Sequence, residues 1–337
     1  MEIGFSFQDL APGGAQLLLV QLAVELARLG HKIKYTINTQ FDDPQHVDPH
    51  LLRSLMITGN PVRNPWSLRA CQVIHLDGYH SFRHKIPYFL SLKNCVETFH
   101  SKYSVRRSGP IYAPHRVAVS KYIQAFLPEP SIIIPNGIKL PPTGTSKLKE
   151  YDVAILGRIH RVKRQDFFLS VCQELFNKRR KLSCLLIGGF SDDRNYQNNI
   201  LSHVASLKAQ QVQLEITGFV PHDQVYSWLA KTRILIIPSL DEGFGRMAIE
   251  AMACGLPIIS NPVGGLLEII DHGKDGYFTE LNQISSFVQL ADSLLDNPSL
   301  CQKMGHQGEL KVRSHFTLDQ ITAAYVNLYN HVTRGFW

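Results

Sequence analysis

The sequence contains no apolar run long enough to cross a membrane. Its longest strongly apolar stretches, Leu182–Gly188 and Ile234–Pro238, have the length of a buried strand, well short of the roughly 18 residues that a membrane-spanning helix needs. No basic segment followed by an apolar one opens the chain, so we expect no signal peptide. We therefore expect a cytoplasmic protein.

Cysteine is scarce and scattered. The six cysteines form no C-x-x-C pair, which argues against a structural zinc site and a disulfide framework and favours a reducing compartment. His80 and His84 have the i, i+4 spacing of a helical metal site, but their neighbours are typical of a loop. We predict no metal site.

The net charge of +7 lies almost entirely in the first half of the chain. Residues 1–140 hold 15 Lys and Arg against 9 Asp and Glu, whereas residues 141–337 hold 20 against 19. Lys102, Arg106 and Arg107 lie close together within this surplus. Such a basic face attracts phosphate-bearing ligands, nucleic acid or anionic lipid, or it is a solvated surface with no partner.

Short apolar runs alternate with helical patterns through residues 1–134. The leucines from 18 to 29 recur at helical spacing between a predicted strand at Ile3–Phe7 and another at Lys32–Ile37, and Gly30 ends the helix. This order predicts a βαβ unit in a parallel sheet. Further strands are predicted at Val73–Leu76, Cys95–Phe99, Val117–Val119 and Ile132–Ile134, while residues 40–70 and 78–94 give no clear pattern.

A second alternation follows residues 135–150, whose content of Pro, Gly, Thr and Lys is typical of a linker. An amphipathic tail at about 318–332 predicts a C-terminal helix. The two alternations predict two Rossmann-like domains, and pairs of such domains typically bind ligands in the cleft between them. The strands predicted for the second half are Val153–Leu156, Leu182–Ile187, Val212–Ile216, Ile234–Pro238 and Pro257–Ser260.

The densest chemical signal lies at residues 240–259, after the carboxyl end of a predicted strand. Gly243 and Gly245 allow the backbone to turn tightly, and the helix predicted to begin near Gly245 directs its free N–H groups at a ligand such as phosphate. Glu242 and Glu250 are up to about 12 Å apart along that helix, too far to share one reacting bond. They suit the two ends of an elongated polyhydroxylated ligand.

A second signal lies at residues 153–166, where a predicted strand leads into Gly157 and Arg158, and Lys163 follows. Two cations at the end of a strand can neutralise a diphosphate leaving group. A donor directed at developing charge typically lowers a barrier by about 3–4 kcal/mol. Taken alone, the segment is equally consistent with a solvated basic turn.

Together these segments resemble glycosyltransferase family four, the retaining enzymes with the GT-B fold. The family's two spaced glutamates match Glu242 and Glu250, and its Gly-Arg followed by Lys matches Gly157, Arg158 and Lys163. The turn P-G-G-A at residues 12–15, the segment V-E-T-F-H at 96–100 and the segment I-P-N-G-I at 134–138 are similar to further family motifs.

The resemblance implies a role for each matched position. Glu242 would hold hydroxyls of the transferred sugar, Glu250 would hold the ribose, and Arg158 and Lys163 would bind the diphosphate. His100 would lie near the reacting carbon, so the implied catalytic residues are His100, Arg158, Lys163 and Glu242. The other implied donor-binding residues are Gly13, Gly14, Gly218, Phe219, Val220, Gly243, Phe244, Gly245, Arg246 and Met247.

The implied architecture is α/β, with two Rossmann-like doubly wound domains of the GT-B fold facing across a cleft. We expect an acceptor-side domain over residues 1–138 and a domain that binds the nucleotide sugar over residues 139–317. We expect the C-terminal helix, at about 318–337, to pack back on the first domain.

The implied activity is metal-independent transfer of a hexose, with retention, from a nucleotide diphosphate sugar to a saccharide or lipid-linked acceptor in polysaccharide or glycoconjugate biosynthesis. UDP-glucose is the expected donor type, followed by GDP-mannose, with no cofactor and no nucleic-acid partner. The basic first half favours weak contact with an anionic inner membrane face. The alternatives are a nucleotide-sugar epimerase on the same fold and a non-catalytic protein that binds a nucleotide sugar.

Overall fold

The computed structural model describes residues 1–10, 13–37, 48–62, 64–78, 94–108, 113–142 and 148–335. They form two compact units, one of Met1–Lys139 with Phe316–Trp337 and the other of Leu140–His315. The chain therefore leaves the first unit at Lys139 and returns to it at Phe316. No helix of the described residues is both long and apolar enough to cross a membrane.

The first unit is built on a parallel sheet of seven strands in the order β3-β2-β1-β4-β5-β6-β7. Every strand predicted in this part of the chain is present, with bounds that differ by a residue or two. The strands are β1 (Glu2–Phe7), β2 (Lys32–Ile37), β3 (Asn60–Pro61), β4 (Val73–Asp77), β5 (Cys95–Phe99), β6 (His115–Ala118) and β7 (Ile132–Ile133).

The first helix forms as the leucine spacing predicts. Leu19, Leu22 and Leu26 are buried in the apolar core that also holds side chains of the first sheet. Gly30 follows the helix with a φ of +86°, a left-handed conformation that favours glycine. The α-helices that the structure describes in this part of the chain are α1 (Gly14–Arg28), α2 (Pro49–Thr58), α3 (Lys102–Ser108) and α4 (Lys121–Gln124).

Helix α2 lies in the region that gave no clear sequence pattern. The Oδ1 atom of Asp48 accepts hydrogen bonds from the N–H groups of His50 at 2.8 Å and Leu51 at 3.4 Å. Pro49 occupies the first turn, where its missing N–H costs nothing. The Asp-Pro pair was the available signal for this helix start.

The second unit is built on a parallel sheet of six strands in the order β10-β9-β8-β11-β12-β13. The predicted strands are again present. They are β8 (Tyr151–Leu156), β9 (Ser183–Ile187), β10 (Gln213–Ile216), β11 (Thr232–Ile237) and β12 (Ile258–Ser260), followed by the unpredicted β13 (Gly276–Phe278). The helices are α5 (Gln165–Arg179), α6 (Arg194–Ala209), α7 (His222–Ala230), α8 (Arg246–Ala253), α9 (Leu266–Ile269), α10 (Ile284–Asp296) and α11 (Pro298–His315).

Both sheets have the strand order of a doubly wound fold. The order reverses between β1 and β4 in the first unit and between β8 and β11 in the second. Loops at the carboxyl ends of such strand pairs form the ligand sites of open α/β sheets. The Gly157 and Glu242 segments follow β8 and β11, so they lie at this point of the second sheet.

The linker interpretation is wrong for residues 136–138, which are packed in the first unit. Asn136 and Ile138 are buried, and a side chain at Gly137 would lie 2.7 Å from Cγ1 of Ile321. Ile138 pairs with Thr317, because its N–H donates to Phe316 O and its carbonyl accepts from Leu318 N. The outgoing and returning segments of the chain therefore lie side by side.

The returning segment is the predicted C-terminal helix, α12 (Leu318–Arg334), which begins with a capping box at Thr317 and Gln320. Its buried tyrosines reach polar groups of the first sheet. Tyr329 Oη lies 2.6 Å from His75 Nδ1, His75 Nε2 lies 2.8 Å from Thr98 Oγ1, and that oxygen lies 3.0 Å from Tyr325 Oη. Complete burial, with a smaller contribution from nearby His100, lowers the pKa of His75 to about 3.

Replacing Tyr329 with Phe should destabilise the first unit, because it removes the partner of a fully buried histidine nitrogen. We expect a loss of about 1–3 kcal/mol in the free energy of unfolding, measured in urea. Tyr35→Phe is the control, since Tyr35 is equally buried in the same unit but its hydroxyl bonds to no described residue. Equal losses in the two variants would show that the network contributes nothing.

Candidate functional site

The site begins where β8 and β11 end. These neighbouring strands pair in parallel, so the loops that follow them lie side by side. The N–H of Leu240, in the loop after β11, donates to Val162 O in the loop after β8 at 2.9 Å. The sheet thus brings the two sequence motifs together, as the strand prediction requires.

Lys163 and Glu242 form an ion pair across these loops. Lys163 Nζ lies 2.6 Å from Glu242 Oε1, and the two side chains are 23% and 8% exposed. Lys163 ends a short 3-10 turn, Arg161–Lys163, and its Nζ also lies 4.0 Å from Met247 Sδ. The resemblance implied that Lys163 binds the diphosphate and that Glu242 binds the sugar. The structure places the charged groups of these two residues in contact.

Arg158 supplies a second cation in the loop after β8, which also carries Lys163. Its side chain is exposed and forms no ion pair with any residue that the structure describes. Partial burial and then the charge of Arg158 lower the pKa of His160. The loop after β8 therefore presents an accessible guanidinium that no carboxylate of the described residues neutralises, which suits an anionic ligand.

The loop after β11 ends at the N-terminus of α8. Gly245 has a φ of +104°, and a side chain there would overlap Cδ2 of Leu266. The N-cap residue is Gly245, which has no side chain with which to cap the helix. Its first N–H groups and the positive end of its dipole are therefore directed at the loop that carries Glu242 and Gly243.

Glu250 is buried on α8 between two donors. Its Oε1 accepts from Arg246 Nε and from His222 Nε2, each at 2.8 Å. Burial raises the pKa of this carboxyl, but the hydrogen bonds and charges of His222 and Arg246 outweigh it, so the pKa lies below its ordinary value. Glu250 is therefore an ionised acceptor at neutral pH.

The segment T-G-F-V at 217–220 leads from β10 to this cluster. Gly218 bridges to Gly188 at the end of β9, Phe219 is 51% exposed and Val220 is half-buried. Pro221 follows, and His222 begins α7. The segment implied to touch the base is therefore only two residues from a side chain bonded to Glu250.

Three implied site residues lie in the first unit. Gly13 and Gly14 are exposed at the start of α1, after the carboxyl end of β1. His100 follows β5 and is buried, and its N–H lies 3.3 Å from Ser104 Oγ. Pro12, His80 and His84 lie outside the described residues.

The second unit thus brings together Lys163, Glu242 and Met247. Gly245 and Glu250 belong to the same helix as Met247, α8, and Arg158 lies in the same loop as Lys163. Arg246 and Phe244 are buried, and Arg246 Nε donates to Glu250 Oε1. Sequence reasoning missed His222, because no local spacing relates it to a glutamate 28 residues away. Among the described residues, no group of three His, Cys, Asp or Glu is placed to hold a metal, and metal independence stays a prediction.

The chain has two Rossmann-type units, and in the second unit the loop with Gly157, Arg158 and Lys163 lies where the strand order reverses. This combination is that of a GT-B protein. Solved structures share this fold. Anabaena Alr3699/HepE in complex with UDP is 17% identical, with a TM-score of 0.80 over 98% of this chain and 100% of that chain. Sucrose-phosphate synthase from Thermosynechococcus elongatus is 17% identical, with a TM-score of 0.76 over 98% of this chain and 99% of that chain.

The family model for glycosyl transferases group 1 matches residues 139–311, just over half of the chain. The chain belongs to this family, which confirms the resemblance drawn from the motifs.

Curated relatives carry named activities. The 2-deoxystreptamine N-acetyl-D-glucosaminyltransferase of Niallia circulans is 31% identical over 186 residues, 55% of this chain and 46% of the relative. The N-acetyl-alpha-D-glucosaminyl L-malate synthase of Bacillus anthracis is 35% identical over 112 residues, 33% of this chain and 29% of the relative. These alignments span less than half of the length of either relative.

Gly245→Ala should destabilise the second unit by about 2–4 kcal/mol, because it combines a left-handed φ with overlap against Leu266. Gly255→Ala is the matched control. Gly255 also has a positive φ, +71°, but nothing lies within 4 Å of an added side chain, so we expect a loss of about 1 kcal/mol. Urea unfolding measures both, and equal losses would contradict tight packing at Gly245.

Proposed function

We propose that this protein is a retaining glycosyltransferase that moves a hexose from a nucleotide diphosphate sugar to a saccharide or lipid-linked acceptor. The observation that carries the proposal is the Lys163–Glu242 pair beside the uncapped N-terminus of α8, in a member of the group 1 family. The pair supplies a cation for a leaving group and an acceptor for sugar hydroxyls at one place.

The diphosphate of the donor is bound by Arg158, Lys163 and the N-terminus of α8. As the bond from the sugar carbon to the diphosphate oxygen breaks, negative charge grows on the leaving oxygen. Fixed cations and N–H groups stabilise that charge without having to reorganise, each by about 3–4 kcal/mol when well placed. Arg158 is suited to this role because it has no carboxylate partner among the described residues.

Glu242 accepts hydrogen bonds from hydroxyls of the transferred sugar, and Glu250 accepts them from the ribose. Both carboxylates are buried and held by cationic or N–H donors. This fixed geometry favours recognition over nucleophilic attack. The acceptor hydroxyl therefore attacks from the face that the diphosphate leaves, and passes its proton to a donor phosphate oxygen. His100, near the reacting carbon by the resemblance, stays a prediction.

A UDP-hexose such as UDP-glucose is the proposed donor. The Anabaena protein of the same fold was solved with UDP and with UDP-glucose, and two curated relatives bear names of enzymes that act with N-acetylglucosaminyl groups. GDP-mannose is the second donor to test. We place the reaction in polysaccharide or glycoconjugate biosynthesis in the cytoplasm, without a metal.

Lys163→Ala and Glu242→Ala should each lower kcat for sugar transfer by about 100-fold or more. The first removes a cation that stabilises the leaving diphosphate, and the second removes the acceptor for hydroxyls of the transferred sugar. Initial rates with UDP-glucose and an acceptor panel measure this. Lys178→Ala is the control, since Lys178 Nζ pairs with Asp292 at 2.5 Å on the surface of the same unit and should keep the parent rate.

Parent rates in both site variants would refute the assigned roles. Conversion of the donor to a rearranged sugar nucleotide without acceptor would support an epimerase instead. Tight UDP binding without transfer or hydrolysis would indicate a non-catalytic binding protein.

We also propose that the first unit contacts anionic membrane through α3 and α4. Tyr103 and Phe126 are 59% and 44% exposed. Lys102 Nζ lies 5.3 Å from the ring centre of Tyr122 and 5.8 Å from that of Phe126, so the two helices share one surface. Exposed cations beside exposed aromatic rings are the combination that binds an interface of anionic lipid.

Arg106→Glu/Arg107→Glu should lower the partition coefficient onto phosphatidylglycerol vesicles by about 30-fold at low salt, measured by sedimentation. The reason is that each surface cation contributes about 1 kcal/mol to binding. Both arginines are exposed on α3. Lys32→Glu/Arg53→Glu changes the net charge equally, at exposed positions elsewhere in the unit, and should retain binding. Equal loss in both variants would indicate that net charge alone acts, and no pelleting of the parent would remove the proposal.

A further inference from the structure

Hydrogen bonds from the described residues reach only one of the two carboxylate oxygens of Glu250. Arg246 Nε, from one turn earlier on α8, and His222 Nε2, from the start of α7, both bond to Oε1 at 2.8 Å. Oε2 receives no hydrogen bond from any described residue. A buried carboxylate held in this way keeps the lone pairs of its second oxygen for a ligand.

The carboxylate determines the state of the histidine. An ionised carboxylate only accepts hydrogen bonds, so His222 Nε2 must carry the hydrogen. The ring is kept in place by edge-to-face packing on Tyr226, with centres 5.5 Å apart and an interplanar angle of 81°. His222 therefore restricts rotation of the Glu250 carboxylate from a second, separately anchored element.

The place of His222 in the chain adds a second connection. It follows the segment from Gly218 to Val220, which the resemblance places against the base, by only Pro221. Glu250 lies on a different helix, 28 residues away in sequence. The bond between His222 and Glu250 therefore joins the loop at the base to the acceptor for the ribose.

We propose that His222 is a positioning residue that orients Glu250 toward the vicinal hydroxyls of the donor ribose. This inference rests on the proposed function, since it assumes a nucleotide donor at this site. His222 keeps Oε1 engaged and directs Oε2 at the 2′- and 3′-hydroxyls. The affinity for the ribose diol therefore depends on a side chain that need not touch it.

The test compares UDP with 2′,3′-dideoxy-UDP by calorimetry on the parent, His222→Phe, His222→Gln and Glu250→Ala. The parent should bind UDP about tenfold more tightly than the dideoxy compound. His222→Phe keeps the ring volume but loses the donor, so this preference should fall towards that of Glu250→Ala. His222→Gln restores an N–H donor and should recover part of it.

Two further measurements separate positioning from a general loss of structure. His222→Phe should raise KM for the donor about tenfold and change kcat by less than about twofold, since binding and not the chemical step is affected. In the double variant, the His222 substitution should have no further effect once Glu250 is Ala. His306→Phe is the control, because His306 faces Glu309 on the surface of the same unit and should change nothing.

An unchanged preference for UDP in His222→Phe would overturn the inference and leave the proposed function intact. Equal weakening of both nucleotides would also overturn it, because that result shows a structural role only. If the parent binds neither UDP nor its dideoxy analogue, the proposed uridine donor and this inference fail together.

Discussion

The ion pair of Lys163 and Glu242 is the interaction on which the site depends. It lies where two parallel strands end side by side, and it joins the loop after β8 to the loop after β11. A lysine and a glutamate so close to the interior would each be unfavourable alone, because burial penalises an uncompensated charge. As a pair, they keep a cation and a carboxylate at the carboxyl ends of β8 and β11.

A similar balance holds Glu250. Its carboxylate is buried on α8, and its ionised state is maintained by donors from its own helix and from α7. The uncapped start of α8 contributes a positive end to the same region. On the function that we propose, the cations of the second unit would bind phosphate and its fixed carboxylates would bind hydroxyls, the two kinds of group in a sugar nucleotide.

The first unit uses buried polarity for a different purpose. His75, Thr98, Tyr325 and Tyr329 form a hydrogen-bonded group inside the core. It attaches the returning C-terminal helix to the middle of the first sheet. Buried polar groups that all find partners specify one arrangement of the elements, whereas apolar contacts alone tolerate several. The last helix of the chain is thus a part of the first unit.

Much of the fold could be predicted from the sequence, because strands and long helices are encoded by local periodicity. The apolar runs located the strands of both sheets, except the short β3 and β13, and the glycine and glutamate spacing located the helix that follows β11. Local patterns carry no information about which distant side chains meet. The Lys163–Glu242 pair spans 79 residues, the His222–Glu250 bond 28 and the His75–Tyr329 bond 254. Strands, helices, the protein family and the residues with suitable chemistry could all be read from the order of amino acids. Which of those residues contact one another depends on the folded chain, because side-chain contacts require proximity in space.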